Sequence, residues 1–428
     1  MASTFVDVLG ERAAASAGLA FEFVDRSGTS AVGYSELESR ARTIGATLAD
    51  RGLTGRRVLV LLPPGLDYVA VLLGCLYAGA VAVPLAPLPD TGPLPARQRA
   101  VLADAAPDAA IVPPGADPRA LGDVTVLSTP DLFAFPASAW RRPEVGPDTL
   151  ALLQYPSGPA DPHGVMVSHA NLLASCRQLT RHFGADPDAG VVSWQPPYQD
   201  MGLLAGVLHP IVAGRRVTLL DPREFRADPA RWLRLVSDRH ARISGGPGVA
   251  FDLCGGLADE ELAGIDLSTW DIAFTDAASS TMDRFTDRLR RNGFRRSAFF
   301  PCYWLAEATS LVAGRRAPSV TSFDADSLAP GRLTKPRSPG TPVLDRGGPA
   351  DEVDVAIVDP LTATRCPDGT AGEIWVSGPT VAVGYLGKPE ASERTFCARL
   401  RGSTDNYLRT GDLGFLHDGG LHVTDLAA

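Results

Sequence analysis

The segment best equipped for chemistry runs from Ala151 to His169, ALLQYPSGPADPHGVMVSH. An apolar run passes into a loop of Ser, Gly and Pro and stops ahead of a helix, an arrangement in which backbone amides can cradle phosphate oxygens. The same letters also spell an ordinary surface turn. His163, inside the loop, is of the only residue type there whose unperturbed side chain changes charge near neutrality. Lysine chemistry has few seats, because the chain holds two lysines, Lys335 and Lys388, against 38 arginines. The six cysteines (Cys75, Cys176, Cys254, Cys302, Cys366, Cys397) are far apart and form no C-x-x-C, so neither a zinc ribbon nor a redox pair is indicated. With no signal peptide at the start, they read as reduced thiols of a cytoplasmic protein.

These residues need a scaffold, and the composition supplies one. Of 428 residues 45% are apolar and 21% charged, which suits a packed globular body. A net charge of −9 argues against a nucleic-acid-coating or basic membrane-surface protein. The 21 uncharged residues from Tyr68 to Leu88 could span a membrane by length. Gly79, Pro84 and Pro87 instead divide them into a helix (68–77) and a short buried strand (80–85).

Ahead of that stretch, Ser35 and Glu38 have the spacing of a capping box, followed by Leu37, Ala41, Ile44 and Leu48 at helical intervals until Gly52. With a buried strand at 57–62 this makes a βαβ unit, hence a parallel sheet covered by helices. Residues 87–147 hold at least two weak strands. Strands at 150–154, 191–194, 217–220, 271–275 and 298–300 then alternate with helices at 171–183, 229–239 and 282–292. From Val353 the texture is β, with strands at 353–358 and 373–376 parted by the turn Pro367-Asp368-Gly369.

Four further segments follow in order, WQPPYQDMGL (194–203), FPCYWLAEAT (300–309), GEIWVSG (372–378) and YLRTGDLGFL (407–416), and to them belong the opening helix and GVMVSH (164–169) beside the loop. Together they resemble the adenylate-forming superfamily, most of all the fatty-acyl-AMP ligases that charge acyl carrier proteins. The resemblance implies an α/β fold of the superfamily's N-terminal kind: a first α/β subdomain at 1–186, a second at 187–345 with the acyl-tunnel region, both with mixed, largely parallel sheets, and a small β-rich subdomain at 346–428. The family's C-terminal lysine-bearing domain is expected to be absent, since Asp425-Leu426-Ala427-Ala428 does not match its hinge.

Carried over residue by residue, the resemblance is incomplete. In the phosphate loop two small hydroxyl residues are gone, a glycine has become the anionic Asp161 and the lysine is His163. The family's Tyr-His-Asp-Met-Gly is Tyr198-Gln199-Asp200-Met201-Gly202. Its adenine-lining Asn-Gly-Ala-Glu-Pro is Thr275-Asp276-Ala277-Ala278-Ser279. Its Tyr-Gly is Tyr303-Trp304, so an indole would pack into the purine slot. Glu307, the family's magnesium ligand, and Asp412, its ribose ligand, persist, and Trp232, Phe251 and Met201 resemble the acyl-binding side. Residues 322–342 fall where the family carries an insertion.

The resemblance therefore implies an acyl-binding scaffold with a remnant nucleotide site (Tyr303, Trp304, Asp276, Asp412). His163, Gln199, Asp200 and Glu307 are its catalytic candidates, with Trp304 in the slot leaving Asp200, Glu307 and His163 free for acid–base work. ATP and magnesium, the family's requirements, are expected to be unused, and no other cofactor or metal site is assigned. The expected partners are an acyl or acyl-carrier substrate and a pathway enzyme, with neither nucleic acid nor membrane.

Overall fold

The computed structural model describes residues 2–15, 18–89, 92–156, 162–324, 340–349 and 352–425. The chain forms two compact units: Met1–Arg177 with Asp186–Glu224 and Tyr385–Gly387, and Gln178–Ala185 with Phe225–Gly384 and Lys388–Ala428.

In the first unit the expected βαβ motif is present. Strands Arg57–Val60 and Val81–Pro84 run parallel around helix Leu66–Tyr77. Ala109–Val112 and Thr125–Ser128, the two weak strands of the proline-rich stretch, extend the sheet on one side, and Leu150–Gln154 continues it on the other. Val165–Ser168 is a strand as well, antiparallel to Leu150–Gln154, so the phosphate-loop segment is the connection of a hairpin. A second group of strands pairs Val191–Ser193, Val217–Leu220 and Leu19–Asp25 in parallel, with Gly28–Gly33 antiparallel at its edge.

The helix Tyr34–Asp50 starts without the expected capping box. Gly33 is its N-cap, and Ser35, already inside the first turn, donates its hydroxyl to the Ala13 carbonyl. Glu38 pairs with Arg42 instead. Against this helix Leu66–Tyr77 packs at very short range, Gly74 meeting Ile44 and Gly45 meeting Tyr77. Among the described residues no helix is long and apolar enough to cross a membrane.

In the second unit Ile243–Gly245, Ile272–Thr275 and Phe299–Trp304 are parallel. The last of these runs beyond the expected 298–300, because residues 302–304 gain an antiparallel partner in Leu311–Gly314. Behind the sheet lies an aromatic core in which Trp232, Phe251, Trp270, Phe285, Phe294 and Phe299 pack with ring centroids 4.8–6.3 Å apart.

The β-rich end is an antiparallel meander. Asp354–Asp359 pairs with Gly372–Ser377, which pairs with the long strand Asn406–His417, which pairs with Gly420–Asp425. The chain reverses earlier than the Pro367-Asp368-Gly369 turn, since Thr364–Arg365 already folds back on Asp354–Asp359. Most of the insertion-like stretch 322–342, with Lys335, lies outside the described residues.

Candidate functional site

The hairpin connection in the first unit is pinned at both ends to one carboxylate. Tyr155 donates its hydroxyl to Asp104 at 2.8 Å and Gly164 its amide at 3.1 Å. Arg97 holds the Pro156 carbonyl, and Leu386 donates to the Gly164 carbonyl at 2.8 Å. His163 is half-buried with its ring 4.9 Å from that of Tyr385. Residues 157–161, with the substituted Asp161, lie outside the described residues.

Beside this hairpin a narrow cleft of about 10 Å³ is lined by Gln154 and Tyr155 together with Tyr198, Gln199, Asp200 and Leu203. Two of the candidates, Gln199 and Asp200, thus share one cleft, with Met201 next in the chain; His163 is not among its lining residues. Gln199 is exposed. Asp200 opens the short helix Asp200–Leu203, and its Oδ1 accepts the Met201 amide at 2.8 Å. Among the described residues no cation pairs with it, and burial pushes its pKa above the usual carboxylate value.

Gln154 was not legible as a site residue. It is only 5% exposed, yet among the described residues neither its amide nitrogen nor its amide oxygen has a hydrogen-bond partner. A buried amide left unmade costs about 1–3 kcal/mol for each group, so an inward-facing polar residue ending the apolar run Leu150–Gln154 was the available signal.

In the second unit the turn at Asp412 is built by the strand beside it. Arg409 forms a forked pair with Glu373, its Nε 3.1 Å and its Nη2 2.7 Å from the two carboxylate oxygens. Thr410 donates its hydroxyl to the Ile374 carbonyl, and Gly411 takes a left-handed φ of +77°. Asp412 is thereby turned inward, 4% exposed, and accepts the Tyr303 hydroxyl. Burial foremost, then Asp412, pushes the Tyr303 pKa far up, so the phenol stays protonated and the hydrogen bond stays made.

Trp304, next along the strand, is half-buried, and its indole N–H is withdrawn from solvent with no partner among the described residues. Glu307, also half-buried, sits on the 3₁₀ turn Ala306–Ala308. Thr309 closes that turn with φ +63°, Ser310 donating to the Ala308 carbonyl at 2.7 Å, which is a γ-turn. Such a conformation is strained for a β-branched residue. Thr309 is fully buried, and its hydroxyl bonds the Thr380 carbonyl at 2.7 Å. Asp276 stands elsewhere, exposed, accepting the Gly248 amide at 2.9 Å. Trp232 and Phe251 are fully buried in the aromatic core, with the Trp232 indole bonded to Ser244 at 2.8 Å.

Known proteins share this fold. The family described as AMP-binding enzyme matches residues 11–386. The long-chain-fatty-acid–AMP ligase FadD28 of Mycobacterium tuberculosis is 37% identical over 426 residues, covering 91% of this chain and 72% of that protein. The medium-chain-fatty-acid–acyl-carrier-protein ligase JamA of Moorena producens is 34% identical over 454 residues, 99% of this chain and 76% of its own length. The crystal structure of a fatty acid AMP ligase from Legionella pneumophila superposes with a TM-score of 0.94 at 34% identity, over 100% of this chain and 77% of that one. By sequence and by fold, the chain belongs to the AMP-binding, adenylate-forming enzymes, with fatty-acyl-AMP ligases among its relatives.

Proposed function

We propose that this chain uses the adenylate-forming scaffold to hold an acyl or acyl-carrier substrate without adenylating it, in ATP-independent acyl chemistry of polyketide or peptide natural-product assembly. The observation that carries the reading is the engagement of Asp412 by Tyr303 beside Trp304. The carboxylate that family resemblance assigns to ribose hydroxyls already accepts a buried phenol, and an indole follows where the family has glycine. The substitutions at His163, Gln199 and Asp276 point the same way.

A magnesium ion would have Glu307 as its ligand by the same resemblance. Among the described residues no group of three or more His, Cys, Asp or Glu side chains could hold a metal. Such an ion would in this reading be held chiefly by nucleotide phosphates with Glu307 beside it, and so shares the nucleotide's fate. In this reading Asp200, whose pKa burial raises and which faces a cleft, serves as an acid–base group toward an acyl carbonyl. Glu307 and His163 are further acid–base groups, each within its own unit.

The names of FadD28 and JamA favour a second reading, a conventional fatty-acyl-AMP ligase completed by a separate domain. Two assays separate them. With ATP, magnesium and a fatty acid, a ligase releases pyrophosphate, and the proposed protein does not. With an acyl-carrier thioester, the proposed protein consumes the thioester without ATP. Absence of both activities, with the carrier still bound, would make it a binding partner instead.

A further inference from the structure

We propose that Arg346 is a carboxylate receptor, its guanidinium fork taking the two oxygens of a free acyl acid. The inference rests on the acyl reading above and adds to it the form of the acyl group and the residue that recognises it. Arg346 is half-buried, and among the described residues its side chain makes one hydrogen bond, from Nη1 to the Cys302 carbonyl at 3.5 Å, the outer limit of such a contact. Its Nε and Nη2 donate to nothing among those residues, and neither is sealed from water. The adjacent carboxylate, Asp345, is already engaged, one oxygen pairing with Arg315 and the other accepting the Gly347 amide at 2.7 Å. Asp276 acts on Arg346 only as a nearby charge, and burial lowers the Arg346 pKa from its ordinary value, as expected of a cation drawn from water without a full partner.

The backbone fixes Arg346 in this place. Its amide donates to the Leu421 carbonyl and the Leu421 amide to the Gly347 carbonyl, both at 2.8 Å. Gly347 follows with a left-handed φ of +87°, and a Cβ there would lie 2.3 Å from the Gly314 carbonyl oxygen, so the turn is seated tightly against strand Leu311–Gly314. A guanidinium held partly out of water is costly unless its donors are met. Nε and Nη2 form the side-on fork, the same pair of atoms with which Arg409 grips Glu373. That fork matches the two coplanar oxygens of a carboxylate. One guanidinium offsets one negative charge and Asp276 already adds another nearby, so a singly charged group fits better than a doubly charged phosphate. Asp276 belongs to the segment that resemblance gives to the adenine, a ring with no charge to meet a guanidinium. A carboxylate receptor beside it agrees with an acid that is held and not adenylated.

The test is calorimetric titration of the whole protein with octanoate and with its neutral counterpart octanamide at pH 8. The receptor predicts that octanoate binds at least about ten-fold more tightly, the scale of hydrogen bonds to a charged group. In Arg346→Gln that preference should vanish through loss of octanoate affinity, with octanamide unchanged. Arg346→Lys keeps the charge and loses the fork, so most of the preference should go there too, and this variant decides the matter should the glutamine one unfold. Equal affinities in the unsubstituted protein overturn the receptor while leaving the acyl reading intact. So does a preference for octanoate that persists in full in the substituted proteins. Methyl octyl phosphate binding more tightly than octanoate would assign Arg346 to a phosphodiester and overturn the carboxylate. If neither octanoate nor octanamide binds, the acyl reading falls and takes the receptor with it.

Discussion

Thr309 concentrates two opposed energies in one residue. Its left-handed φ costs roughly 1–3 kcal/mol, whereas its hydroxyl satisfies the buried Thr380 carbonyl. Thr309→Gly removes the strain together with the bond and should change stability little. Thr309→Val keeps the strain, deletes the bond and leaves a carbonyl unpaired, so it should cost about 1–3 kcal/mol. Urea denaturation of the two variants checks this, and a valine variant as stable as the glycine one would contradict it. None of this was readable from FPCYWLAEAT, since a γ-turn has no letter code when threonine occupies its centre. The identities of Tyr303, Glu307 and Asp412 were readable. That Tyr303 would bond Asp412 was not, because the two are 109 positions apart and meet only through the β-rich meander.

Buried histidines set a second residue-scale expectation. His169 is 1% exposed, accepts the Phe5 amide at Nδ1, and burial pulls its pKa from 6.5 to about 4. His209, fully buried and near Arg215, is pulled to about 3. Both stay neutral in the folded chain at pH values where the unfolded chain takes up protons. Stability is therefore intact above pH 6.5 and declines as pH falls from 6.5 towards 4. For His169 alone the loss is on the order of 3 kcal/mol. His169→Asn, whose carbonyl can still accept from Phe5, should show a shallower decline in pH-dependent thermal melting. An unchanged slope would assign the acid sensitivity to other groups.

At the scale of elements, the contact between helices Tyr34–Asp50 and Leu66–Tyr77 depends on the absence of a side chain. A Cβ at Gly74 would lie 2.3 Å from Ile44 Cγ2, well inside contact distance. Gly74→Ala should therefore force the helices apart and cost about 1–3 kcal/mol. Adding Ile44→Ala makes room, so the double variant should lose less than the sum of the two single losses. Additive losses in chemical denaturation would show that the helices do not meet there. Helix and strand positions were largely legible because apolar periodicity decides them. Ser35 was misread because a hydroxyl three residues before a glutamate fits both a cap and a first-turn position, and the choice lies with Ala13, which no local pattern reveals. The strand Phe299–Trp304 outran its expected end for the same kind of reason, its extra pairing being supplied by a later segment.

For the whole molecule, membership of the adenylate-forming enzymes was legible because its motifs recur in fixed order over nearly the full sequence. The departures from those motifs, read together with the Tyr303 to Asp412 bond, define the central claim that the scaffold holds an acyl group and does not adenylate it. Gln154 escaped the motif reading, since a glutamine closing an apolar strand stands out only once its amide is seen to lack partners among the described residues. The most direct measurement is mass spectrometry of the protein incubated with ATP, magnesium and a fatty acid, with calorimetry of ATP alone alongside. The account predicts no acyl adenylate and a nucleotide affinity no better than about millimolar, roughly −4 kcal/mol. An acyl adenylate that accumulates with time, together with micromolar ATP binding, would contradict it.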